Sequence, residues 1–377
     1  MELKELISAG GCTLGYDPEF FFKKDGKIIG AERVIPRDGV MGDYYGNSFK
    51  ALALDGVQVE MHAKSFSCRQ AGSGYIMAAM NAVKNELKKE QNKGVEACFD
   101  GVVLVPRREL DQLSDSAKIL GCAPSFNYYD KNASVGVKNP VTFRKRSAGG
   151  HVHLGMTGNM LLMSADSTQP RGMARERLVP LLDILLGNQC VLLDRDPGAR
   201  ARRRYYGRAG EYRLPPHGLE YRTLSNFWIR SYPLMSFVMG VARQTTHVLA
   251  CTLQHKVNGH KKGWEGYWDA EAALLDCVHL PTVRKAINNN DVELAWKNWQ
   301  GVKEYIKTVM KQQYAGFSAT NVEAFEYFAK TVQEKGFQHF WPEGVLEHWT
   351  KGSLGSGWEN FAAAIDVQRR SEQGVKA

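Results

Sequence analysis

The arrangement of apolar and polar residues predicts strands in the first part of the chain. Up to about residue 70, short apolar runs stand between glycines and other turn residues, a pattern typical of strands joined by turns. Residues 20–30 predict a hairpin with Asp25-Gly26 at its turn. Alternation and short buried runs predict further strands at 57–62, 101–106, 151–155, 211–213 and 219–223.

Apolar residues at helical spacing predict helices in the middle and at the end of the chain. One helix carries this spacing from Ile76 to Leu87, with Gly94 as the expected stop. A second helix, at 174–193, is apolar on most of its surface, so we expect it to be buried. The chain beyond residue 231 is predicted to be mainly helical, at 231–256, 268–289, 291–313 and 320–335.

These patterns divide the 377 residues into two regions. Residues 1–230 hold the predicted strands and the candidate chemistry, whereas residues 231–377 are helical and hold seven of the eight tryptophans. No stretch rich in proline, serine or glycine separates the two regions. We therefore expect them to pack together as one structural unit.

The composition excludes several classes of protein. With 44% hydrophobic and 24% charged residues, the chain is neither disordered nor collagen-like. No run of about 18 apolar residues occurs, so no membrane-spanning helix is expected. The N-terminus lacks the apolar core of a signal peptide, and the seven cysteines are scattered without a CxxC pair. We expect a cytoplasmic protein with reduced thiols and no zinc ribbon.

Arginine accounts for much of the net charge of +9. Residues 195–222, here called the arginine segment, contain eight arginines, three acidic residues and no lysine. Arginine without lysine favours bidentate recognition of phosphate or carboxylate over diffuse attraction. Glycines and tyrosines stand among these arginines, which suits a loop that clamps polyphosphate, although a run of charge is more often a solvated loop.

Two acidic motifs are candidates for metal binding. Asp17-Pro18-Glu19 puts two carboxylates two positions apart on a predicted strand, where they face the same way and repel each other unless a cation lies between them. Residues 55–60 place Glu60 among apolar neighbours, where a carboxylate needs a metal ion, an arginine or a proton. Taken alone, the first motif is equally compatible with an exposed strand face, and for the second a solvated face is the more common explanation.

Two histidines, His151 and His153, follow Gly149-Gly150 and share one face of a predicted strand. Glycine allows a ligand to approach the backbone closely, and neutral imidazole binds metals. Two hydrogen-bonded core histidines are the alternative. Carboxylates, imidazoles and arginines together suit divalent cations that bridge a nucleoside triphosphate. The chain contains neither a GxxxxGK[ST] nor a GxGxxG segment.

In this order the motifs resemble those of the phage-type carboxylate–amine ligases, which are part of the glutamine synthetase-like superfamily. The resemblance extends over about residues 12–230. It implies an α+β fold: a glutamine synthetase-like curved antiparallel sheet with flanking helices and a mainly helical C-terminal part. It also implies ATP with two or more Mg²⁺ ions, or Mn²⁺ in their place. The matching residues are 17–20, 55–60, 149–155 and 218–228.

The resemblance assigns roles by position. The residues that resemble metal ligands are Asp17, Glu19, Glu60, His151 and Glu220. The groups expected at the reacting phosphate are Arg222, Arg213 and Glu220. The groups expected to bind the ATP phosphates are His153, Arg202, Arg203, Arg204 and Arg208, although the resemblance does not fix which arginine contacts phosphate. Asp17 stands where glutamine synthetase commonly has a glutamate, and the C-terminal third matches no motif of the family.

The implied activity joins a carboxylate to an amine by an amide or isopeptide bond and releases ADP and phosphate. A carboxylate is a poor electrophile because its leaving group would be oxide, and conversion to an acyl phosphate supplies a better one. Metal ions and arginines offset the repulsion between the two anions that must meet. A base must keep the amine neutral, and a lid is expected to shield the acyl phosphate from water.

Two other functions fit parts of the sequence. A nucleic-acid-binding protein would use the arginine segment, but the acidic and histidine motifs beside it disfavour this reading. A metal-dependent hydrolase would use the same carboxylates and histidines without ATP. The sequence leaves open which carboxylate and amine are joined, whether small molecules, peptides or protein side chains, and whether the protein forms oligomers. No membrane partner is expected, and a phage-encoded protein would act in the cytoplasm of its host.

Overall fold

The computed structural model describes most of the chain. Thirteen strands lie in this described part: β1 Thr13–Tyr16, β2 Glu19–Lys24, β3 Lys27–Ile29, β4 Val40–Tyr44, β5 Asn47–Asp55, β6 Gln58–Met61, β7 Val95–Cys98, β8 Val102–Leu104, β9 Phe126–Asn127, β10 Lys145–Ser147, β11 Val152–Gly155, β12 Glu211–Arg213 and β13 Gly218–Tyr221. The residues described are 12–67, 69–118, 125–130, 142–258, 270–306, 326, 329–336, 340 and 344–350.

Helices are concentrated in the second half of the described residues. The α-helices are α1 Arg69–Leu87, α2 Arg107–Gln112, α3 Asp115–Lys118, α4 Leu178–Leu182, α5 Asn188–Leu193, α6 Ala199–Arg202, α7 Tyr232–Asn258, α8 Ala270–Asp276, α9 Leu280–Asn289, α10 Val292–Tyr305 and α11 Val345–Thr350. Residues 329–335 are also helical. None of the helices within the described ranges combines the length and apolar character needed to cross a bilayer.

The strands form two larger antiparallel sheets and one small ribbon. The first sheet has the strand order β1-β11-β13-β12-β9. The second has the order β3-β2-β6-β5-β4, with β7 also paired to β2, and β8 pairs with β10 in the ribbon. Every strand pair is antiparallel. The predicted α+β class, with an antiparallel sheet and a mainly helical C-terminal part, is therefore confirmed.

The consecutive strands β1 and β2 belong to different sheets. Only Asp17-Pro18 separates them, so the chain passes from the first sheet to the second within two residues. The amide of Glu19 donates to the carbonyl of Gly149 over 2.9 Å, which ties the start of β2 to the residues that precede β11. The two sheets therefore meet at this link.

Most of the predicted strands are confirmed, with one correction. The hairpin turn at Asp25-Gly26 has φ angles of 49° and 71°, the left-handed conformation that a two-residue turn requires. The strand predicted at 101–106 was expected to be buried, but β8 pairs only with β10 among the described residues, and Leu104 is 58% exposed. A short edge strand needs no apolar cover on both faces.

The predicted helices are also largely confirmed, with different boundaries. Helix α1 ends at Leu87, before the expected stop at Gly94. The single helix predicted at 268–289 is two helices, α8 and α9, because Pro281 lies in the first turn of α9 and lacks the amide hydrogen that a continuous helix needs. The ends predicted beyond residue 306, and the start of the helix predicted at 320–335, lie mostly outside the described residues.

The buried stretch 174–193 is helical throughout, but not uniformly so. A 3-10 turn at Ala174–Arg177 precedes α4, and a π turn at Asp183–Gly187 separates α4 from α5. The carboxylate of Asp183 accepts hydrogen bonds from the hydroxyls of Tyr129 and Tyr221, at 2.8 and 2.7 Å. Burial raises the pKa of Asp183 to about 7.

Helix α7 packs against both the sheet and the helices of the N-terminal region. It contacts β1, β11, α1 and α4. The indole of Trp349, on α11, donates to the carbonyl of Ile229 over 2.7 Å. One buried apolar cluster includes both Leu14 and Trp349. These contacts join described residues on both sides of residue 230, and the organisation of residues 1–230 and 231–377 as one structural unit stays a prediction.

We predict that a fragment of residues 231–377 will not fold cooperatively on its own. Its longest helix, α7, covers apolar surface on β11 and α1, which the fragment lacks. Thermal unfolding followed by circular dichroism should show a broad, weak transition for the fragment and a sharp one for the full chain. A soluble fragment with its own sharp transition would contradict this prediction.

Candidate active site

The link between the two sheets carries the first candidate ligand, Asp17. The prediction that Asp17 and Glu19 lie on one strand is wrong, because Asp17 and Pro18 form the connection between β1 and β2. Proline cannot donate to a sheet ladder, so the strand is interrupted there. Asp17 therefore faces the first sheet, and Glu19 begins the second.

The register of the first sheet sets charged side chains in rows. His153 of β11 lies opposite Glu220 of β13, and Glu220 lies opposite Arg213 of β12. His151 precedes His153 by two residues, and Arg222 follows Glu220 by two residues. Because side chains two residues apart on a strand share a face, all five project from the same side of the sheet.

Asp17 reaches both histidines of this face. Its Oδ1 lies 2.9 Å from His151 Nδ1, and its Oδ2 lies 3.1 Å from His153 Nε2. His151 Nδ1 is also 3.6 Å from Glu220 Oε1. The prediction that His151 and His153 share one face agrees with these distances, because one carboxylate reaches both rings.

These atoms fit a metal ion better than they fit hydrogen bonds to one another. Asp17 Oδ1, His151 Nδ1 and His153 Nε2 are buried, and none has a hydrogen-bond partner in good geometry. Asp17, His151 and Glu220 each present one ligand atom within 4.8 Å of the others. Two carboxylates and an imidazole that converge in this way match the ligands of a divalent cation.

The pKa values of Asp17 and His151 also favour the protonation states that bind a cation. Burial opposes the ionisation of Asp17, but the two imidazoles outweigh it and hold the pKa of its carboxyl well below its usual value. Burial lowers the pKa of His151, which favours the neutral ring that binds metals.

A second acidic group lies beside the first, on β2, β5 and β6. The carboxylate of Glu19 accepts hydrogen bonds from Gln58 Nε2 and the amide of Gly149, both at 2.6 Å. Asp55 shares a hydrogen bond with Glu19, and Glu60 lies directly opposite Glu19 in the sheet. Glu60 therefore lies beside Glu19 and Asp55, and its role as a metal ligand stays a prediction.

Crowding changes the acidity of these carboxyls. Burial and the charge of Asp55 raise the pKa of Glu19 well above its usual value. Burial and the charge of Glu60 raise the pKa of Asp55 to about 6. Burial also raises the pKa of Glu60, whose Oε2 lies 2.6 Å from His62 Nε2. Carboxyls held so close must share protons or a cation.

Six of the eight arginines of the arginine segment, those with predicted roles, fall into three groups. Arg202 and Arg203 are buried, and both donate to the carbonyl of Thr223; Arg202 also donates to Leu224 and Arg203 to Gly207. The side chains of Arg204 and Arg208 are exposed. Contact with phosphate, predicted for all four, stays a prediction, and the buried pair already holds the segment to the end of β13.

The third group flanks Glu220. Arg213 forms a bidentate pair with Glu220, with both N–O distances at 2.7 Å. The guanidinium of Arg222 is fully buried, and its Nε lies 3.2 Å from Glu220 Oε1. Both arginines thus lie beside Glu220: Arg222 is two residues further along the same strand direction, as the alternating sequence predicted, and Arg213 is opposite Glu220 on β12.

Sequence reasoning missed two residues of the site. Asp55 ends β5 beside Glu19, but in the sequence it precedes a glycine and gives the signal of a turn. Tyr206 places its hydroxyl 2.6 Å from His151 Nε2. No periodicity marks Tyr206, and its only signal is that it stands among arginines.

Residues 135–315 match the model of a protein family described as "Phage phiEco32-like COOH.NH2 ligase-type 2". This range contains His151, His153, the arginine segment and Glu220, but not Asp17 or the other N-terminal acidic residues. The resemblance to phage-type carboxylate–amine ligases is confirmed over this range by the match. No curated protein matches the chain.

Several solved structures are similar to the chain at low identity. "Apo GmaS without ligand" is 13% identical, with 93% of this chain and 76% of that chain covered and a TM-score of 0.42. "GmaS/ADP complex-Conformation 1" is 13% identical, with coverage of 90% and 74% and a TM-score of 0.38. A "novel glutamine synthase homolog" is 10% identical, with coverage of 87% and 73% and a TM-score of 0.33.

We predict that Mn²⁺ will bind more tightly as the pH rises from 5 to 7. The pKa of Asp55 is raised to about 6, so below that pH its carboxyl holds a proton that a cation must displace. Calorimetric titrations in buffers of different ionisation enthalpy should show proton release at pH 5 that diminishes by pH 7. The Asp55→Asn variant should release fewer protons, whereas Glu96→Gln, on an exposed position of β7, should match the wild type. An affinity that does not change with pH would contradict the prediction.

Proposed function

We propose that the protein is an ATP-dependent carboxylate–amine ligase that forms an amide or isopeptide bond through an acyl phosphate. The observation that carries this proposal is the convergence of Asp17, His151 and Glu220 beside Arg213 and Arg222, where the two sheets meet. Cation ligands and arginines in one place suit the transfer of a phosphoryl group. The family match over residues 135–315 supports the same class of reaction.

Two groups of residues would hold the divalent ions. Asp17, His151 and Glu220 would bind one Mg²⁺, and Glu19 and Glu60, assisted by Asp55, would bind a second; Mn²⁺ could replace either. Bound Mg²⁺ supplies positive charge to the phosphates of ATP. Burial raises the pKa values of Glu19, Asp55 and Glu60, and repulsion among these carboxylates and that of Asp17 raises them further, a repulsion that bound cations would relieve.

The arginines divide the remaining work. Arg222 and Arg213 would stabilise the charge on the equatorial oxygens of the phosphoryl group in transfer, because fixed guanidinium groups need little reorganisation. His153, Arg204 and Arg208 would reach the rest of the ATP phosphates. Arg202 and Arg203, bound to backbone carbonyls, would contribute by holding the arginine segment in place.

The two chemical steps follow from this arrangement. A carboxylate oxygen of the first substrate attacks the terminal phosphorus of ATP, and ADP leaves. The nitrogen of the amine then attacks the carbonyl carbon, phosphate leaves, and a proton passes from the amine to a carboxylate of the enzyme. We further propose that this reaction takes place in the cytoplasm, that of the host if a phage encodes the protein.

We predict that Glu60→Gln and Glu220→Gln will each weaken the Mg²⁺-dependent binding of ATP about tenfold or more. Loss of a primary ligand, or of its charge, typically reduces cation affinity by this amount. Calorimetry with ATP, with and without Mg²⁺, measures the effect, and Glu96→Gln on β7 is the matched control. Unchanged affinity in both variants would contradict the assignment.

We predict that ATP will be cleaved to ADP and phosphate, and that Arg222→Lys will lower the rate about a hundredfold while ATP binding is largely kept. Lysine retains the charge but loses the planar fork that meets two phosphoryl oxygens. Product release should be screened against panels of carboxylates and amines. Arg108→Lys, on the exposed side of α2, is the control substitution.

Two results would contradict this mechanism. AMP and pyrophosphate as products would mean that the carboxylate is adenylated instead. Full turnover in Arg222→Lys would mean that this guanidinium does not act on the transferring group.

A further inference from the structure

Tyr206 connects the arginine segment with the proposed cation site. Its hydroxyl lies 2.6 Å from His151 Nε2, and the two rings meet edge to face, with centroids 5.6 Å apart and an interplanar angle of 79°. We propose that Tyr206 is a positioning residue that keeps the proton of His151 on Nε2 and directs Nδ1 to a divalent cation. This inference rests on the proposed function, because it presupposes that His151 binds a cation.

A positioning residue is needed because the two ring nitrogens of His151 have different surroundings. On one side, His151 Nδ1 lies 2.9 Å from Asp17 Oδ1 and 3.6 Å from Glu220 Oε1. Two carboxylates there attract a proton to Nδ1, and a protonated Nδ1 has no lone pair for a metal. A hydrogen-bond acceptor at Nε2 opposes this tautomer, because it stabilises the proton on the other nitrogen. The phenol hydroxyl of Tyr206 can accept or donate, and it lies 2.6 Å from Nε2; in the proposed role it accepts from Nε2–H.

The ring of Tyr206 is itself held by two cations. The guanidinium carbons of Arg202 and Arg222 each lie 5.0 Å from its centroid. Arg202 is fixed in turn by the carbonyls of Thr223 and Leu224, at 2.9 and 2.7 Å. Cation–π contacts of this kind orient an aromatic ring. The tyrosine oxygen is therefore placed by the same arginines that dock the arginine segment.

The chain turns sharply directly after Tyr206. Gly207 has a φ of 76°, and a Cβ atom at this position would collide with the guanidinium of Arg202. A glycine here lets the backbone pass beneath Arg202 while Tyr206 points at His151. The local sequence Tyr-Gly within the arginine segment is thus explained by the position that the hydroxyl must reach.

The first test removes only the hydroxyl. Tyr206→Phe keeps the ring, and with it the contacts to Arg202 and Arg222, so the fold should be retained. We expect the affinity for Mn²⁺, measured by electron paramagnetic resonance, to fall about ten- to a hundredfold, the usual effect of losing a partner of a metal-binding histidine. Tyr205→Phe is the matched control, because Tyr205 is the adjacent residue and packs instead against Phe143 and Lys145.

The second test observes the imidazole without any metal. In ¹⁵N spectra of the metal-free protein, the signal of His151, assigned by its loss in His151→Gln, should show the proton on Nε2. In Tyr206→Phe the signal should shift toward the form with the proton on Nδ1, and in Tyr205→Phe it should not. A change of fold alone would not produce this shift.

The outcomes separate this inference from the proposed function. If the wild type binds Mn²⁺ and Tyr206→Phe binds it equally well, only the role of Tyr206 is refuted. The same follows if wild-type His151 carries its proton on Nδ1. If the wild type does not bind Mn²⁺, the proposed cation site is refuted, and the role of Tyr206 with it.

Discussion

Asp17 lies where the chain leaves one antiparallel sheet and enters the other, and its carboxylate contacts the imidazoles of His151 and His153. Much of the site depends on this placement. A buried carboxylate is costly unless hydrogen-bond donors or opposite charge surround it, and Asp17 lies against the imidazoles of His151 and His153, of which His153 has a raised pKa. Because Asp17-Pro18 is only two residues long, the same contact fixes how closely β2, with Glu19, approaches the first sheet.

This placement also crowds several carboxyl groups together between the two sheets. Glu19, Asp55 and Glu60 all have raised pKa values, which means that the folded chain disfavours their charged forms. A protein that is built only for stability gains nothing from such a group. Divalent cations reverse the balance, because they turn mutual repulsion into shared attraction. The cost of folding around these carboxylates is therefore one that the proposed cation binding would offset.

Charge in the arginine segment has more than one physical role. Arg202 and Arg203 donate hydrogen bonds to backbone carbonyls, so they hold the segment in place from inside the protein. Arg213 and Arg222 balance the negative charge of Glu220 on one face of the first sheet. Arg204 and Arg208 remain exposed, where a charged ligand can meet them. The arginines of this one segment therefore have different roles: some hold the backbone, some balance the charge of Glu220, and some lie at the surface, where they can meet a charged ligand.

The sequence alone determined the features that depend on near neighbours. Alternation on β13 placed Glu220 and Arg222 on one face, spacing did the same for His151 and His153, and Asp25-Gly26 specified its hairpin turn, because these geometries are set within a few residues. Motif order was enough to predict the family. Local patterns could not assign Asp17 and Glu19 to different sheets, distinguish the buried arginines from the exposed ones, or bring Tyr206 to His151. Those relations join residues far apart in the chain, and only the packing of the sheets and of the arginine segment fixes the distances between them.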